Sequence, residues 1–416
     1  MKNNIKLTQW LWRWHFIAGL ISLPFIILLS ITGAIYLFNH DYTERAFESI
    51  KKVEAVSEPI SYQRQWEIAR NEMAQSPELM KVPMADDRAT EFVAGAFSKE
   101  TSLFVNPYTG KVSGSIKATE GAMYKVRKLH GELLMGGYGT KLVELVASWL
   151  VVLIITGNYV FLSTHKPGVL SLIVPRVKQG KRILFRDLHA ITGFWISGLL
   201  ILVLAGAFPW TDVVGHNFKW IQEVTGTGYP DTWSGAGLQS INSGPQTSLD
   251  DMVDIAKNLS LPGEIGIELP KDASGVYGIF NTNPQDLDLQ VKYHYDQYSG
   301  EPISKQSWAD VGILMRGRMW VMAFHQGQFG AWNWCLMLFV ALMMAGMAIS
   351  ALISYSARKK RGQWGTPKSP KRFNPGYGIV LIMCVLAVLF PLFGLSLILI
   401  LIGFQFRKNK LNIKVQ

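Results

Sequence analysis

The sequence predicts a mainly α membrane protein. Its core is a four-helix transmembrane bundle built from two parallel repeats plus a C-terminal apolar segment, and it carries two extracytoplasmic α+β domains. Three observations predict this fold. Several apolar stretches approach the ~20 residues that a bilayer crossing needs. Basic residues collect in particular loops, and the chain repeats itself. Composition agrees: the 416 residues are 49% hydrophobic and 17% charged, apolar for a soluble protein yet too charged for one wholly embedded in lipid.

The apolar stretches run over 16–38, 142–162, 190–210, 329–355 and 379–404. The first is too long for the apolar core of a signal peptide, and no small-residue cleavage site follows it. The last contains Pro391, which removes a backbone donor. It reads either as one kinked crossing or as a hairpin of two short helices. Length favours the crossing; the basic tail "FRKNKLNIK" favours the hairpin.

The net charge of +11 is unevenly spread. Residues 1–14 hold three bases and no acid, loop 163–188 holds six bases and one acid, and loop 355–377 holds seven bases and no acid. By contrast, residues 39–128 balance 13 bases with 13 acids, and 212–325 carry seven bases against 14 acids. This pattern puts the N-terminus and both basic loops in the cytoplasm and the two large loops outside. It speaks for contact with anionic membrane lipid rather than nucleic acid. Cys335 and Cys384 both lie in apolar stretches, and no C-x-x-C-H is present, so any haem is held by side-chain ligation alone.

The repeat begins with "HFIAG" at 15–19 and "HAITG" at 189–193, each followed by a small run, "TGA" at 32–34 and "AGA" at 205–207. Next come amphipathic helices at 62–73 and 248–259, the second with Ser248 as N-cap. Strands follow, turning at "NPYTG" and "DQYSG", where glycine supplies positive φ. Each unit then re-enters the membrane with a histidine, "LHGELLMGGYG" at His130 and "FHQGQFGAWNW" at His325. Both units start with an outward helix, so the repeats are parallel. The resulting organisation has a first transmembrane helix in 1–40, an outer domain at 41–128 and a second helix in 129–165. A cytoplasmic basic loop at 166–188 leads to a third helix in 189–211 and a second outer domain at 212–324. A fourth helix in 325–356, a basic loop at 357–377, the C-terminal membrane segment at 378–405 and a basic tail at 406–416 complete the chain.

On this topology His15 and His189 share the cytoplasmic depth, and His130 and His325 share the outer one. Two facing imidazoles suit the axial positions of haem iron, and helix bundles often house such cofactors. Arg13 and Arg186 stand near the first pair, Arg127 and Arg318 near the second, and the arginine fork suits propionate carboxylates. Any one of these histidines has a plainer alternative, an interfacial residue bonded to a backbone carbonyl; it is the matched positions that point to a metal. His165 is the best substitute ligand. His40 and His216 read as solvated, and His294 as a packed or exposed strand residue. Tryptophans at the helix ends read as an interfacial belt.

These motifs, in the order "RWHFIAGL…LSITGAIYLF", "KLHGELLMGGYG", "RDLHAITGFW", "AFHQGQFG" and "LFPLFGLSL", resemble the PepSY-associated transmembrane helix family over nearly the whole chain. The resemblance implies PepSY-like outer domains and a bacterial inner-membrane location. It also implies kinship with di-haem b proteins that reduce ferric siderophores in iron acquisition. It places the ligands on His15, His130, His189 and His325, as axial ligands of two b-type haems. No flavin or nicotinamide domain is attached, so a quinol or a cytoplasmic reductase is the expected donor and a ferric siderophore or other ferric chelate the acceptor. The alternative is a non-enzymatic PepSY-domain sensor or inhibitor that binds a periplasmic peptide or protein. A transporter is a third reading. Against it, only Lys141 and Glu144 bring charge near a crossing.

Overall fold

The structure, a computed structural model, describes residues 2–95, 98–164, 169–283, 285–359, 362–370 and 373–413. The chain opens with α1 (Lys2–Tyr36), followed by the short α2 (Asn39–Ala46) and α3 (Glu48–Lys51). Helix α4 (Tyr62–Glu72) precedes strands β1 (Leu79–Lys81), β2 (Thr90–Ala94), β3 (Thr101–Val105) and β4 (Val112–Lys117). The chain comes back through α5 (Ala122–Glu132) into α6 (Gly137–Thr164). Beyond the following loop it runs through α7 (Lys181–Ala207), α8 (Val213–Val224) and α9 (Leu249–Asn258). Strands β5 (Glu264–Glu268), β6 (Val276–Thr282), β7 (Val291–Asp296) and β8 (Pro302–Ser307) come next. Last come α10 (Ile313–His325), α11 (Ala331–Arg358), α12 (Tyr377–Leu389) and α13 (Pro391–Ile413).

Helices α1, α6, α7 and α11 are long and apolar enough to cross a membrane. Away from water a helix is the economical form, because it pairs its backbone groups within one segment. Helix α1 packs on α6 and α11, and α7 packs on the same two, so the four close into a ring with α1 and α7 on its diagonal. Ile26, Leu150, Leu153, Leu200 and Val340 fill its centre. Hydroxyls in this interior bond back along their own helices: Ser30 donates to Ile26 O at 2.6 Å and Ser148 to Glu144 O at 2.8 Å.

Three of the sequence-based boundaries move. The second spanning helix begins at Gly137 and the fourth at Ala331, while His130 and His325 lie on the separate helices α5 and α10. The third begins at Lys181, so His189 sits two turns inside it rather than at its start. The last apolar segment doubles back. Phe373, just before α12, meets Trp10, the tip residue Phe390 meets Phe208, and Phe404 of α13 returns to Trp14. Both ends of this hairpin therefore lie at the loop side of the bundle. Its tip is pinned where Phe393 packs on Trp149 and the Trp149 indole N–H donates to Ser396 Oγ at 3.2 Å.

Glu144 is wholly buried, yet it is satisfied: its carboxylate accepts from Val213 N at 2.8 Å and Val214 N at 3.2 Å. These are the first amides of α8, donors that a helix cannot pair internally. Lys141 pairs with Asp212 beside them. The two charges that stood near a crossing thus anchor α8 to α6.

At the other end of the bundle the strands form one antiparallel sheet in the order β4-β3-β2-β1-β5-β6-β7-β8. Its two halves join at β1 and β5, with Met80 opposite Ile267. Helices α4 and α9 cover one face, burying Ala69, Met80, Phe92, Met252, Ile267 and Ile279. The two helices cap one another. Asp250 of α9 accepts from Tyr62 N and Gln63 N of α4 at 2.7 and 3.0 Å, and Gln63 Oε1 accepts from Leu249 N at 3.3 Å. Ser248 forms a capping box with Asp251. The two expected turns share one chemistry. Asn106 Oδ1 accepts from Tyr108 N and Thr109 N, Asp296 Oδ1 accepts from Tyr298 N and Ser299 N, and Gly110 and Gly300 take φ of +67° and +71°.

His294, on β7, is 1% exposed. Burial, reinforced by the neighbouring Lys292 charge, pushes its imidazole from 6.5 down to about 4. The unfolded chain takes up this proton near pH 6.5 and the folded chain only near pH 4. This contribution is therefore complete above pH 6.5 and is lost as pH falls through the window. Unfolding of the detergent-solubilised protein followed by circular dichroism should show that loss, and His294→Gln should flatten it between pH 6.5 and pH 4.

Candidate functional site

Four of the eight histidines meet in two pairs inside the bundle. His15 of α1 faces His189 of α7 near the loop side, with ring centres 6.3 Å apart and planes at 71°. His130 of α5 faces His325 of α10 near the sheet side, at 6.2 Å and 60°. The structure thus brings together the residues that the repeat paired by depth. Counting 17 residues along α1 from His15 to Thr32, the contact of His130, the two levels lie roughly 25 Å apart at 1.5 Å per residue.

Each ring is held through Nδ1. His15 Nδ1 is 3.0 Å from Thr156 Oγ1 and His130 Nδ1 is 3.1 Å from Thr32 Oγ1. Both hydroxyls donate their own proton to a carbonyl one turn back, Val152 O and Leu28 O, each at 2.7 Å. They can therefore only accept from the ring, so Nδ1 carries the imidazole proton. His189 Nδ1 donates to Met347 O at 3.1 Å and His325 Nδ1 to Val203 O at 2.9 Å. All four rings are fixed in one tautomer, with the Nε2 lone pair left for another partner. A metal-bound histidine is commonly tied through its other nitrogen in this way.

The spacing is compatible with a metal between the rings. A metal–imidazole bond of about 2.0 Å on each side, plus roughly 1.2 Å from nitrogen to ring centre, sets trans imidazoles about 6.4 Å apart. Both pairs have this separation. Among the described residues no site gathers three or more metal-ligating side chains, so a bare ion lacks a full set of protein ligands. Two opposed imidazoles fit an iron whose other four positions belong to a macrocycle.

The cations divide. Arg13 donates to Pro367 O at 2.7 Å, tying the loop after α11 to α1. Arg186 is engaged by Asp187, which is 2% exposed and also takes a two-pronged bond from Arg176. Asp187 was counted in the sequence only as the single acid of a basic loop. Arg127 lies over the Tyr124 ring at 5.3 Å. Arg318 is 5% exposed, stacked 4.1 Å from the centre of the Trp210 ring, with a long 3.4 Å bond to Gln222 Oε1 and no partner for Nε. Among the described residues no acid pairs with this buried guanidinium, so its charge can receive an anion.

Other residues here escaped the sequence reading. Arg358 lies over Phe16 at 4.6 Å, close to Trp12, which stacks on His15. It was hidden in a basic run that membrane topology already explained. Thr156 was also missed, although "ITG" at 155–157 matches "ITG" at 31–33 and was the available signal. Of the remaining histidines, His40 and His216 are exposed, and the proposed substitute ligand His165 lies outside the described residues.

A family model described as the PepSY-associated TM region matches residues 12–358. The chain belongs to the PepSY-associated TM region family. The family match ends at the last residue of α11 and so contains both histidine pairs and the whole sheet, while α12 and α13 fall outside it. With four apolar helices of spanning length, this member of the PepSY-associated TM region family is a multi-pass membrane protein. No curated protein matches the chain.

Positioning of His130 depends on the reversal between α5 and α6. There a Cβ at Gly139 would lie 1.6 Å from Glu132 O, whereas nothing stands within 4 Å of one at Gly137. Gly139→Ala should destabilise the fold by about 2–3 kcal/mol, seen as a lower thermal midpoint in detergent, while Gly137→Ala leaves the midpoint unchanged.

Proposed function

We propose that this chain is a di-haem b electron-transfer protein of the bacterial inner membrane that moves electrons outward to reduce a periplasmic ferric chelate, a ferric siderophore, for iron acquisition. One observation carries the reading: two histidine pairs, each at the separation of trans imidazoles and each with both Nδ1 atoms committed. The charge pattern supports a cytoplasmic N-terminus and cytoplasmic basic loops. The shared order of elements supports two parallel repeats with PepSY-like outer domains.

When bound, the two haems supply the one-electron couples. The chain supplies the rest. His15 and His189 hold the inner group, and His130 and His325 the outer one. The apolar ring of α1, α6, α7 and α11 keeps water out and lowers the local dielectric. Arg318 and Arg127 would serve as partners for the carboxylates of the outer group. At the inner level Arg358 joins Arg13 and Arg186 as a partner for propionate, since Arg186 already shares Asp187. A quinol or a cytoplasmic reductase donates electrons. Reduction loosens a hard-oxygen chelate because iron(II) is the softer ion.

The purified protein should be red, with about two haems per chain by pyridine haemochrome and a Soret band that sharpens and shifts on dithionite. His15→Ala or His189→Ala should remove one haem, and His130→Ala or His325→Ala the other. Four unchanged spectra would sink the ligand assignment. A colourless preparation from haem-replete cells would favour a PepSY-domain sensor. The reduced protein should be reoxidised by ferric hydroxamates under anaerobic conditions, and failure with every ferric chelate tried would defeat the proposed substrate class.

Arg318→Leu should leave His325 in place but weaken retention of the outer haem, read as faster haem loss to apomyoglobin. Arg318→Lys, a point charge without the fork, should recover it only in part.

A further inference from the structure

Each spanning helix carries a small-residue step followed by glycine: "ITGA" at 31–34 in α1, "ITGN" at 155–158 in α6, "LAGA" at 204–207 in α7 and "MAGM" at 344–347 in α11. The first two have threonine, with a hydroxyl and a further methyl, where the others have alanine. Thr156 receives His15 Nδ1 and Thr32 receives His130 Nδ1. The glycine beside each makes room for the same ring. A Cβ on Gly157 would come within 2.9 Å of His15 Cε1, and one on Gly33 within 3.1 Å of His130 Cε1. In the other two helices alanine stands in place of threonine, and His189 and His325 turn to the backbone carbonyls of Met347 and Val203.

The fold therefore does not require the hydroxyl: a histidine is seated without it in the second half of the chain. Each pair nevertheless has one ring that meets a threonine hydroxyl, alongside the carbonyl of Leu153 for His15 or of Leu29 for His130, and one ring that meets a carbonyl alone. A hydrogen bond from Nδ1–H makes the imidazole a stronger donor through Nε2, which favours the oxidised metal. The Thr hydroxyl serves here as a polarised acceptor, since its own proton is already given to Val152 O or Leu28 O. The carbonyl seats are beyond the reach of side-chain substitution, so the hydroxyl seats are the adjustable ones.

The geometry points to Thr156 and Thr32 as positioning residues that tune the reduction potentials of the loop-side and sheet-side sites independently, each through the imidazole it holds. This inference rests on the reading that each pair ligates a haem. Neither threonine is predicted to touch the macrocycle, and each acts only through its histidine.

The experiment is a spectroelectrochemical titration of the full-length protein in detergent, alongside haem content and the low-spin ferric EPR signals. Thr156→Val should move one of two midpoints to higher potential and alter one EPR signal, with two haems retained. Thr32→Val should move the other midpoint. Thr156→Ser and Thr32→Ser, which keep the hydroxyl, should return the parent values. Thr→Ala at each position provides a smaller apolar replacement should valine disturb packing, and it should shift the same midpoint in the same direction. Two retained haems with unmoved midpoints in both alanine variants would overturn the inference alone, as would a Ser variant that behaves like Ala. A haem-free parent protein would overturn the ligation reading beneath it.

Discussion

Polar atoms confined to an apolar bundle have only the chain itself for partners, and that constraint decides how the histidines are presented. Thr156 and Thr32 give their protons to their own helices and so can only accept from the imidazoles; the carbonyls of Met347 and Val203 can do nothing else. Four rings end in a single tautomer as a consequence. The same demand explains Glu144, whose buried carboxylate is answered by two amides of α8, and Asp187, answered by two arginines. Arg318 stands apart, because among the described residues it has cation–π stacking on Trp210 and one long hydrogen bond to Gln222 but no ion pair.

A second constraint comes from the sheet. Joining β1 to β5 makes the two outer halves one body, and the mutual caps of α4 and α9 fix the same junction from the helical side. The short helices α5 and α10 descend from the last strand of each half, β4 and β8, and carry His130 and His325 in their last turns. The sheet therefore sets the separation of these rings from above, while the packing of α1 and α7 against α6 and α11 fixes His15 and His189 below.

Much of this was legible in the residues. Apolar length marked the four spanning helices, the Asn and Asp turns with their glycines marked two hairpins, and the duplicated H-x-x-x-G exposed the pairing of His15 with His189. Other features left no local trace. β1 is three residues long, and its pairing with β5 depends on chain 187 residues away, between Met80 and Ile267 in the ladder. The capture of Arg186 by Asp187 was invisible because charge counting treats neighbours as a sum. The C-terminal hairpin was undecided because one proline serves a kink and a reversal equally well; aromatic contacts at Trp10, Trp14 and Phe208 decide it.

Each pair takes one histidine from residues before the central basic loop and one from residues after it. In the order of synthesis, His15 waits for His189 to leave the ribosome, and His130 waits for His325, nearly two hundred residues later. The lower site is therefore complete while the second half of the sheet is still unmade. The upper site can close only after β8 has been synthesised. A product truncated in the central loop would hold one histidine of each pair and no whole pair.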